Sequence, residues 1–272
     1  MIWLAAALAL VFLAALGWGV FEAGWLRLVE LEVPIPGLPE ELDGMRVAHI
    51  GDLHLGARSH GHRAVIKAVE WVSERKPELV LVSGDLLSHP RGEAELRSLL
   101  GRLENCFAVL GNHDFALSRD PFSRPSAISE LGPVALLFDE ARSVEIRGKR
   151  VQIVGVDPRT YHAKRAAPQL LADPEAALRI CLCHFPGIAG RMPPGSFDLI
   201  CAGHLHDGQL ALPYPGGKLR LAHPRDRCGR GLMRRPGGLL HLSAGLGTTF
   251  LPFRFFARPE ATELHLRSCS HG

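Results

Sequence analysis

Five short apolar runs constrain this chain most, because each leads into a side chain that can bind a metal ion or carry a proton. Apolar runs of four or five residues, bounded by glycine or polar residues, are typical of buried strands. Open α/β sheets place their chemistry beyond the carboxyl ends of parallel strands. The runs and the residues that follow them are 47–50 before Asp52 and His54, Leu79–Ser83 before Asp85, Cys106–Val109 before Asn112 and His113, 179–183 before His184, and Leu199–Ala202 before His204 and His206.

The chain has 272 residues, of which 47% are hydrophobic, enough for one large domain with a full core. Its formal net charge of +3 gives no argument for a nucleic-acid partner. Positive charge is concentrated in the segment 214–238, with seven basic residues and one acidic residue. Such a segment is most often a solvated face. Beside the aromatic run 250–256, it also resembles a surface that attracts anionic lipid head groups.

Six cysteines in a chain of this length do not form a disulfide framework. Cys106, Cys181, Cys183 and Cys201 lie in the apolar runs, where a free cysteine behaves as a small buried hydrophobe. A reducing compartment is therefore favoured. A zinc site at Cys181 and Cys183 is the weaker interpretation, since no second cysteine pair lies at zinc-finger spacing.

Residues 2–21 carry no charged side chain, and about 20 residues is the length a helix needs to span a bilayer. Trp3, Trp18 and Trp25 lie near its ends, as interfacial aromatic residues do. A cleaved secretory signal is the alternative, but it lacks a basic n-region and a clean cleavage site. We predict an anchor over 1–25, a linker over 26–44 and a catalytic domain over 45–272. Arg27 favours a cytoplasmic catalytic domain.

Secondary structure can be predicted from periodicity along the rest of the chain. Residues 63–76 and 93–103 have apolar residues at helical spacing, which predicts amphipathic helices. Residues 143–147 and 151–156 flank Gly148 and Lys149 as a hairpin would. Residues 239–244 and 261–267 are expected to be closing strands. Strands that alternate with helices early and form hairpins later predict a layered α/β sandwich.

The polar residues at the strand ends form the ligand set of a two-metal hydrolase. Such a site needs two divalent ions about 3.5–4 Å apart, a shared carboxylate, and oxygen and imidazole ligands. The candidates suffice for two ions and leave one imidazole, His113, for the leaving group. These candidates are Asp52, His54, Asp85, Asn112, His184, His204 and His206.

In order and spacing, these motifs resemble those of the calcineurin-like metallophosphoesterases, and the resemblance covers roughly residues 45–267. It implies a four-layer αββα sandwich and a hydrolase with two divalent metal ions. Ser88 stands where purple acid phosphatases carry a tyrosine, so manganese, zinc or iron(II) is expected. By resemblance, His113 is the catalytic acid, and Asp85 bridges the ions. One ion is held by Asp52, His54 and His206, and the other by Asn112, His184 and His204.

The apolar N-terminus, Gly208-Gln209 and 245–249 are similar to a small membrane-associated bacterial branch, the YkuE-like proteins, which includes UDP-diacylglucosamine pyrophosphohydrolases. The similarity implies cleavage of a phosphodiester or pyrophosphate bond, with a lipid-linked substrate as the candidate, at the bacterial inner membrane and with no nucleic-acid partner. The alternatives are a nuclease of the superfamily and a scaffold without metals. Nothing in the sequence indicates the oligomeric state.

Several residues outside the motifs receive weaker interpretations. Asp207 stands where the branch usually carries glycine, and a solvent-exposed turn residue is expected there. His49 is expected to be a core histidine rather than a ligand. Residues 157–174 are irregular and polar and could line a substrate cleft, with Arg159 and His162 as substrate contacts.

Overall fold

In the computed structural model, which describes residues 1–115, 117–224 and 228–269, the apolar runs become neighbouring strands of two sheets. The helices are α1 Ile2–Ala23, α2 Gly61–Arg75, α3 Glu93–Leu100 and α4 Pro158–His162. The strands are β1 Arg27–Pro36, β2 Arg46–Ile50, β3 Leu79–Ser83, β4 Cys106–Val109, β5 Ala135–Leu136, β6 Glu140–Ile146, β7 Lys149–Gly155, β8 Leu178–Leu182, β9 Leu199–Ala202, β10 Ala211–Tyr214, β11 Gly217–Arg220, β12 Gly231–Arg235, β13 Gly238–Leu242 and β14 Glu260–Cys269.

The first sheet has the strand order β1-β14-β2-β3-β4-β5 and the second the order β12-β13-β9-β8-β7-β6. Strands β2 to β5 run parallel, as do β7, β8, β9 and β13. β10 and β11 form a separate hairpin. Since parallel strands share the direction of their carboxyl ends, β2, β3 and β4 deliver their following loops to one edge of the first sheet. In the same way, β8 and β9 deliver their following loops to one edge of the second sheet.

Three hydrophobic clusters define four layers. The inner faces of the two sheets pack together through residues such as Leu81 and Ile180. α2 and α3 cover the outer face of the first sheet, where Val65 and Leu96 are fully buried. α4 and a short 3-10 helix, Pro186–Gly190, cover the second sheet. The predicted αββα sandwich is confirmed, with a thinner helical layer over the second sheet.

The predicted linker over 26–44 is wrong in one respect, because Arg27–Pro36 form strand β1. It pairs with β14 along its entire length of 10 residues. Apolar and charged side chains alternate along it, which is a strand pattern. Pro34 and Pro36 are tolerated because β1 is an edge strand, where a missing N–H is not needed by a second neighbour. The two prolines obscured the alternation in the sequence.

The predicted anchor forms one continuous helix, α1, of 22 residues, long and apolar enough to cross a membrane. Its side chains are exposed up to Ala15, whereas Gly19, Glu22 and Ala23 at its end are buried against the rest of the chain. The helix therefore stands away from the two sheets except at its C-terminal turns.

A buried histidine pair connects the two sheets. His49 on β2 and His241 on β13 are fully buried, and their Nδ1 atoms lie 2.7 Å apart. Neither Nε2 atom has a hydrogen-bond partner among the described residues. The expectation that His49 lies in the core is met, but only one of its ring nitrogens is paired.

This pair makes the folded state sensitive to acid. Burial, reinforced by the positive charge that His241 would carry, holds the pKa of His49 well below its ordinary value, and burial lowers the pKa of His241 to about 4. Below pH 6.5 the unfolded chain therefore binds protons that the folded chain does not. The free energy of unfolding decreases as the pH is lowered from about 6.5 to 4. We expect His241 alone to contribute about 3 kcal/mol of this loss. Denaturant unfolding in EDTA should show a flatter pH dependence for the double variant His49→Leu/His241→Leu. Equal pH slopes for the two proteins would contradict the assignment.

Candidate metal centre

All eight residues predicted for the site lie in the loops that follow the five strands. Asp52, Asp85, His184 and His206 have at most 3% of their surface exposed. The structure brings the side chains together between the carboxyl ends of the two sheets. They are Asp52 and His54 after β2, Asp85 after β3, Asn112 and His113 after β4, His184 after β8, and His204 and His206 after β9.

The first group that could hold a cation consists of Asp52, His54, Asp85 and His206. One ligand atom from each lies within 4.8 Å of the others. The Nε2 atoms of His54 and His206 are 3.1 Å apart. Nε2 of His54 lies 3.6 Å from Oδ2 of Asp85, and Nε2 of His206 lies 3.7 Å from Oδ1 of Asp52.

The second group consists of Asp85, His184 and His204, with Asn112 beside it. Nε2 of His184 lies 3.3 Å from Oδ2 of Asp85 and 2.9 Å from Oδ1 of Asn112. Nδ1 of His204 lies 3.1 Å from Nε2 of His184. Asp85 belongs to both groups, so its carboxylate occupies the position that a bridging ligand requires.

The chemistry of these donors fits two divalent cations. Carboxylate, amide and imidazole lone pairs face one another across two small spaces, and these are the ligand types of zinc, manganese and iron(II) sites. The outer ring nitrogens are fixed by protein groups, as metal-binding histidines require. Nδ1 of His184 lies 2.9 Å from the carbonyl oxygen of Ser83, and Nδ1 of His54 lies 2.9 Å from Oγ of Ser88.

The electrostatics of the cluster agree with this chemistry. Burial, together with the neighbouring imidazoles, lowers the pKa of His54 to about 3 and holds the pKa values of His204 and His206 well below the ordinary value. These three rings are neutral near pH 7 and keep a lone pair. Burial acts in the same direction on His184, but the carboxylate of Asp85 outweighs it and raises the pKa of His184 to about 9. Binding of a cation at His184 would therefore release a proton from its ring.

Glycines let the ligand loops approach this closely. A Cβ on Gly111 would lie 2.1 Å from Oδ1 of Asp85, and a Cβ on Gly203 would lie 2.5 Å from Oδ2 of Asp52. The backbones of Asp52, His54 and Asp85 adopt left-handed φ values of 50°, 48° and 50°. Non-glycine residues in that region carry strain, which concentrates at functional sites. The Gly-Asn and Gly-His dipeptides are therefore steric requirements of the cluster.

His113 lies at the rim of the cluster, with its ring centroid 4.6 Å from that of His54. Its backbone N–H donates to Oδ1 of Asp85 at 2.8 Å, which fixes the residue relative to the bridging position. Its Nε2 lies 3.4 Å from Oγ1 of Thr249, which donates to Oδ2 of Asp120. Its Nδ1 has no partner among the described residues. The ring is therefore held at Nε2, while Nδ1 is buried.

Two supporting residues escaped the sequence analysis. The carboxylate of Asp114 accepts hydrogen bonds from the backbone N–H groups of Gly111, Leu86 and Leu87, and so joins the loops after β3 and β4. Arg254 is fully buried, and its Nη2 lies 3.1 Å from Nδ1 of His206. Asp114 adjoins the Asn-His dipeptide, a signal that could have found it. Arg254 lies within the aromatic run 250–256, where nothing marks it.

The expectation of a solvent-exposed Asp207 is wrong. Its side chain is buried because it accepts hydrogen bonds from Lys218 at 2.9 Å and Arg220 at 3.0 Å, with Arg230 3.6 Å away. Part of the basic segment therefore faces inward, toward this one carboxylate. Arg225 and Arg227, also in that segment, lie outside the described residues.

A cavity of about 260 Å³ opens above the cluster and contacts Asp85, Asn112, His113, His204 and His206. His162 lines it, as expected for the polar loop 157–174. Arg159 does not: its guanidinium pairs with Asp157 and stacks on the ring of Phe115.

A second cavity, of about 440 Å³, lies beside the first and shares Thr249 and Phe250 with it. Apolar side chains form much of its wall, among them Phe122, Leu251 and Pro252. Three arginines also line it, namely Arg58, Arg91 and Arg124.

Residues 45–208 match the family model described as calcineurin-like phosphoesterase, and this range contains all eight predicted site residues. The chain is 26% identical over 233 residues to the uncharacterized metallophosphoesterase YkoQ of Bacillus subtilis, covering 83% of this chain and 84% of that protein. It is 29% identical over 261 residues to a transmembrane protein with metallophosphoesterase domain of Danio rerio, and the match covers 89% of this chain and 57% of that protein. It is 26% identical over 293 residues to the UDP-2,3-diacylglucosamine pyrophosphatase LpxG of Chlamydia trachomatis, covering 88% of each.

Proposed function

Because the chain belongs to the calcineurin-like phosphoesterases, a family of metal-dependent hydrolases, we propose that it cleaves a phosphodiester or pyrophosphate bond in a lipid-linked substrate. Asp85 would be the ligand that both cations share, because it belongs to both groups. Manganese, zinc or iron(II) suits the donor set. One cation is held further by Asp52, His54 and His206, and the other by Asn112, His184 and His204.

When bound, two such cations generate a nucleophile from water at neutral pH and neutralise charge on the phosphoryl oxygens. The chain's own residues then orient the substrate and handle the proton. His113, at the rim of the cluster, donates a proton or a hydrogen bond to the leaving oxygen. Thr249 and Asp120 hold the ring of His113 in place through their own hydrogen bond.

The second cavity supports the choice of a lipid-linked substrate. A phosphoryl group above the cations would lie next to its opening, since Thr249 and Phe250 line both cavities. Arginines suit a phosphate in the remainder of the substrate, because the guanidinium binds phosphate oxygens in pairs. The apolar wall suits an acyl chain. A cavity of this size and lining is typical of a binding site for a small molecule.

The observation that carries the proposal is the position of α1. The helix end packs beside His60, because a Cβ on Gly24 would lie 3.2 Å from the carbonyl oxygen of His60. Residues 57–59, immediately before His60, line the second cavity, as do residues 250–252, immediately before the segment that contacts Gly19. A membrane that contains α1 would therefore lie near this opening. A tether of this kind brings the site within reach of lipids.

Aromatic residues mark the same end of the molecule. Trp18, Phe21 and Trp25 on and after the helix are each at least 42% exposed, and so is Phe250 at the cavity. Aromatic side chains of this kind favour the interface between lipid and water. Arg258 stacks on Trp25 at 3.8 Å, and Arg27 lies in the same region. Arg27, four residues after the helix, favours the cytoplasmic side of a bacterial inner membrane.

The relative LpxG is named for UDP-2,3-diacylglucosamine, and this compound is the first candidate substrate. It combines a pyrophosphate, which suits the metal cluster, with acyl chains, which suit the apolar wall of the second cavity. The apolar cavity wall suits a nucleic acid less well than a lipid and therefore argues against the nuclease alternative. The complete set of buried candidate ligands argues against a scaffold without metals.

Leu251→Asp tests the lipid assignment, because Leu251 lines the second cavity and touches no predicted ligand. With purified full-length protein in mixed micelles, we expect kcat/KM for UDP-diacylglucosamine to fall about 10-fold or more, since burial of one exposed apolar side chain by a bound acyl chain contributes about 1.5–3 kcal/mol. Hydrolysis of bis(p-nitrophenyl) phosphate should be nearly unchanged. Leu170→Asp is the matched control, because Leu170 is exposed but does not line the cavity.

Two results would contradict the assignment. Equal losses with both substrates would mean that Leu251 supports the fold or the metal cluster instead. Faster cleavage of single-stranded DNA than of every lipid tested would favour the nuclease.

A further inference from the structure

The last turns of α1 are bonded to the segment 253–257. The backbone N–H of Arg254 donates to the carbonyl oxygen of Gly19 at 3.0 Å. The backbone N–H of Ala257 donates to Oε1 of Glu22 at 2.8 Å. Glu22 is only 2% exposed, and its second oxygen accepts a hydrogen bond from Nε1 of Trp18 at 3.0 Å. A buried carboxylate in an otherwise apolar helix is costly, so its position is a specific feature of this contact.

The contact is also close-packed. A Cβ on Gly19 would lie 2.6 Å from Cε2 of Phe255, closer than real Cβ contacts allow. Phe255 packs edge-on against Phe253, with ring centroids 5.7 Å apart. A larger residue at position 19 would therefore have to displace the ring of Phe255.

The same segment carries Arg254, whose guanidinium reaches the metal cluster. It donates from Nη1 to the carbonyl oxygens of Ala244 and Ala257, both at 2.9 Å, and from Nε to that of Gly247 at 3.0 Å. Its Nη2 lies 3.1 Å from Nδ1 of His206. Its Nη1 also donates to the backbone carbonyl oxygen of His206 at 3.5 Å, so Arg254 fixes this residue through its backbone as well.

The loop that Arg254 holds supports the other ligands of the same cation. The N–H of Gly247 donates to the carbonyl oxygen of Asp52 at 2.7 Å. A Cβ on Gly247 would lie 2.8 Å from the Cβ of His54. Arg254 therefore contacts His206 directly and supports Asp52 and His54 through this loop. His184, His204 and Asn112 are not among its hydrogen-bond partners within the described residues.

We infer that the end of the membrane helix is a working part of the metal centre, with Glu22 as a positioning residue. Glu22 and Gly19 fix residues 254–257, and Arg254 then orients His206 and the loop behind Asp52. The inference rests on the proposed two-cation function. It predicts that disturbing the helix end weakens the cation held by Asp52, His54 and His206 and spares the other. It also predicts that a domain cut after residue 25 is defective at that same cation.

The test is a titration of metal-free, full-length protein in detergent with Mn²⁺, with bound and free ion measured by electron paramagnetic resonance. Groups that orient a metal ligand typically contribute 10–100-fold to metal affinity. We expect Glu22→Leu to weaken one of two binding steps by about 10-fold, the lower end of that range, and to leave the other step unchanged. Glu22→Gln retains an acceptor for Ala257 and should recover most of the affinity. Phe12→Ala, an exposed apolar change in the same helix, is the control.

Gly19→Ala provides a second route if Glu22→Leu does not fold. It displaces Phe255 without adding or removing charge, and it should weaken the same step. Equal weakening of both steps would show a general structural role and overturn the inference. The inference would also be overturned if Glu22→Leu kept both wild-type Mn²⁺ affinities and differed only in a lower melting temperature. If the unmodified protein bound fewer than two Mn²⁺ ions, the two-cation function itself would fail, and the two failures are distinguishable.

Discussion

Asp85→Asn is expected to abolish binding of both cations, because Asp85 is the one carboxylate that belongs to both ligand groups. Asparagine preserves the side-chain shape and can still accept the hydrogen bond from the N–H of His113. It removes the negative charge that two divalent ions share. Elemental analysis of purified protein should fall from about two metal equivalents per chain to well below one. Hydrolysis of bis(p-nitrophenyl) phosphate should fall to background.

Asp52→Asn is the matched comparison, since Asp52 is equally buried but lies in one group only. The Asp52→Asn protein should lose one metal equivalent per chain and keep the other. The same melting temperature for the three metal-free proteins would show that the losses come from the ligands rather than from the fold. Near-full metal content in Asp85→Asn would remove Asp85 from the bridging position and require a different shared ligand.

The residues of the candidate metal centre could be predicted from the sequence to lie together, because all of them follow one of five buried strands. In a parallel sheet, strand order and direction are sufficient to gather the loops at one edge, whatever the detailed packing. Asp52, Asp85 and His184 are therefore predictable from an apolar run and the polar residue that follows it. The steric need for Gly111 and Gly203 adds a second local signal, since no other residue allows the carboxylates so close.

The supporting residues could not be found in this way, because their partners are distant in sequence. Glu22 meets Ala257 across 235 positions, and Arg254 meets His206 across 48. A glutamate at the end of an apolar helix normally marks the helix end at the water interface. Only the packing of α1 on residues 253–257 makes it an acceptor inside the protein. Asp207 was misread for a similar reason, since its partners Lys218 and Arg220 come from a later hairpin.

His113→Asn is expected to retain both cations and lose much of the turnover, by about 10²–10⁴-fold, the usual contribution of a general acid. The backbone N–H that His113 donates to Asp85 is kept in the variant, so the bridging carboxylate stays in place. What is lost is the ring, which lines the cavity above the cluster. Burial lowers the pKa of His113, whereas the charges of Asp85 and Asp120 act against that shift. A phosphate substrate adds negative charge and acts in the same direction as those carboxylates.

The leaving group decides whether His113 is an acid or only a support. A p-nitrophenolate leaves without protonation, so the loss in His113→Asn should shrink with this group and be largest for an alkyl ester. The dependence of log kcat on leaving-group pKa should therefore be steeper in the variant than in the unmodified protein. Thr249→Val is the control, because it removes the partner of Nε2 but leaves the ring, and it should change the slope little. Parallel slopes for His113→Asn and the unmodified protein would show that His113 binds the phosphoryl group and transfers no proton.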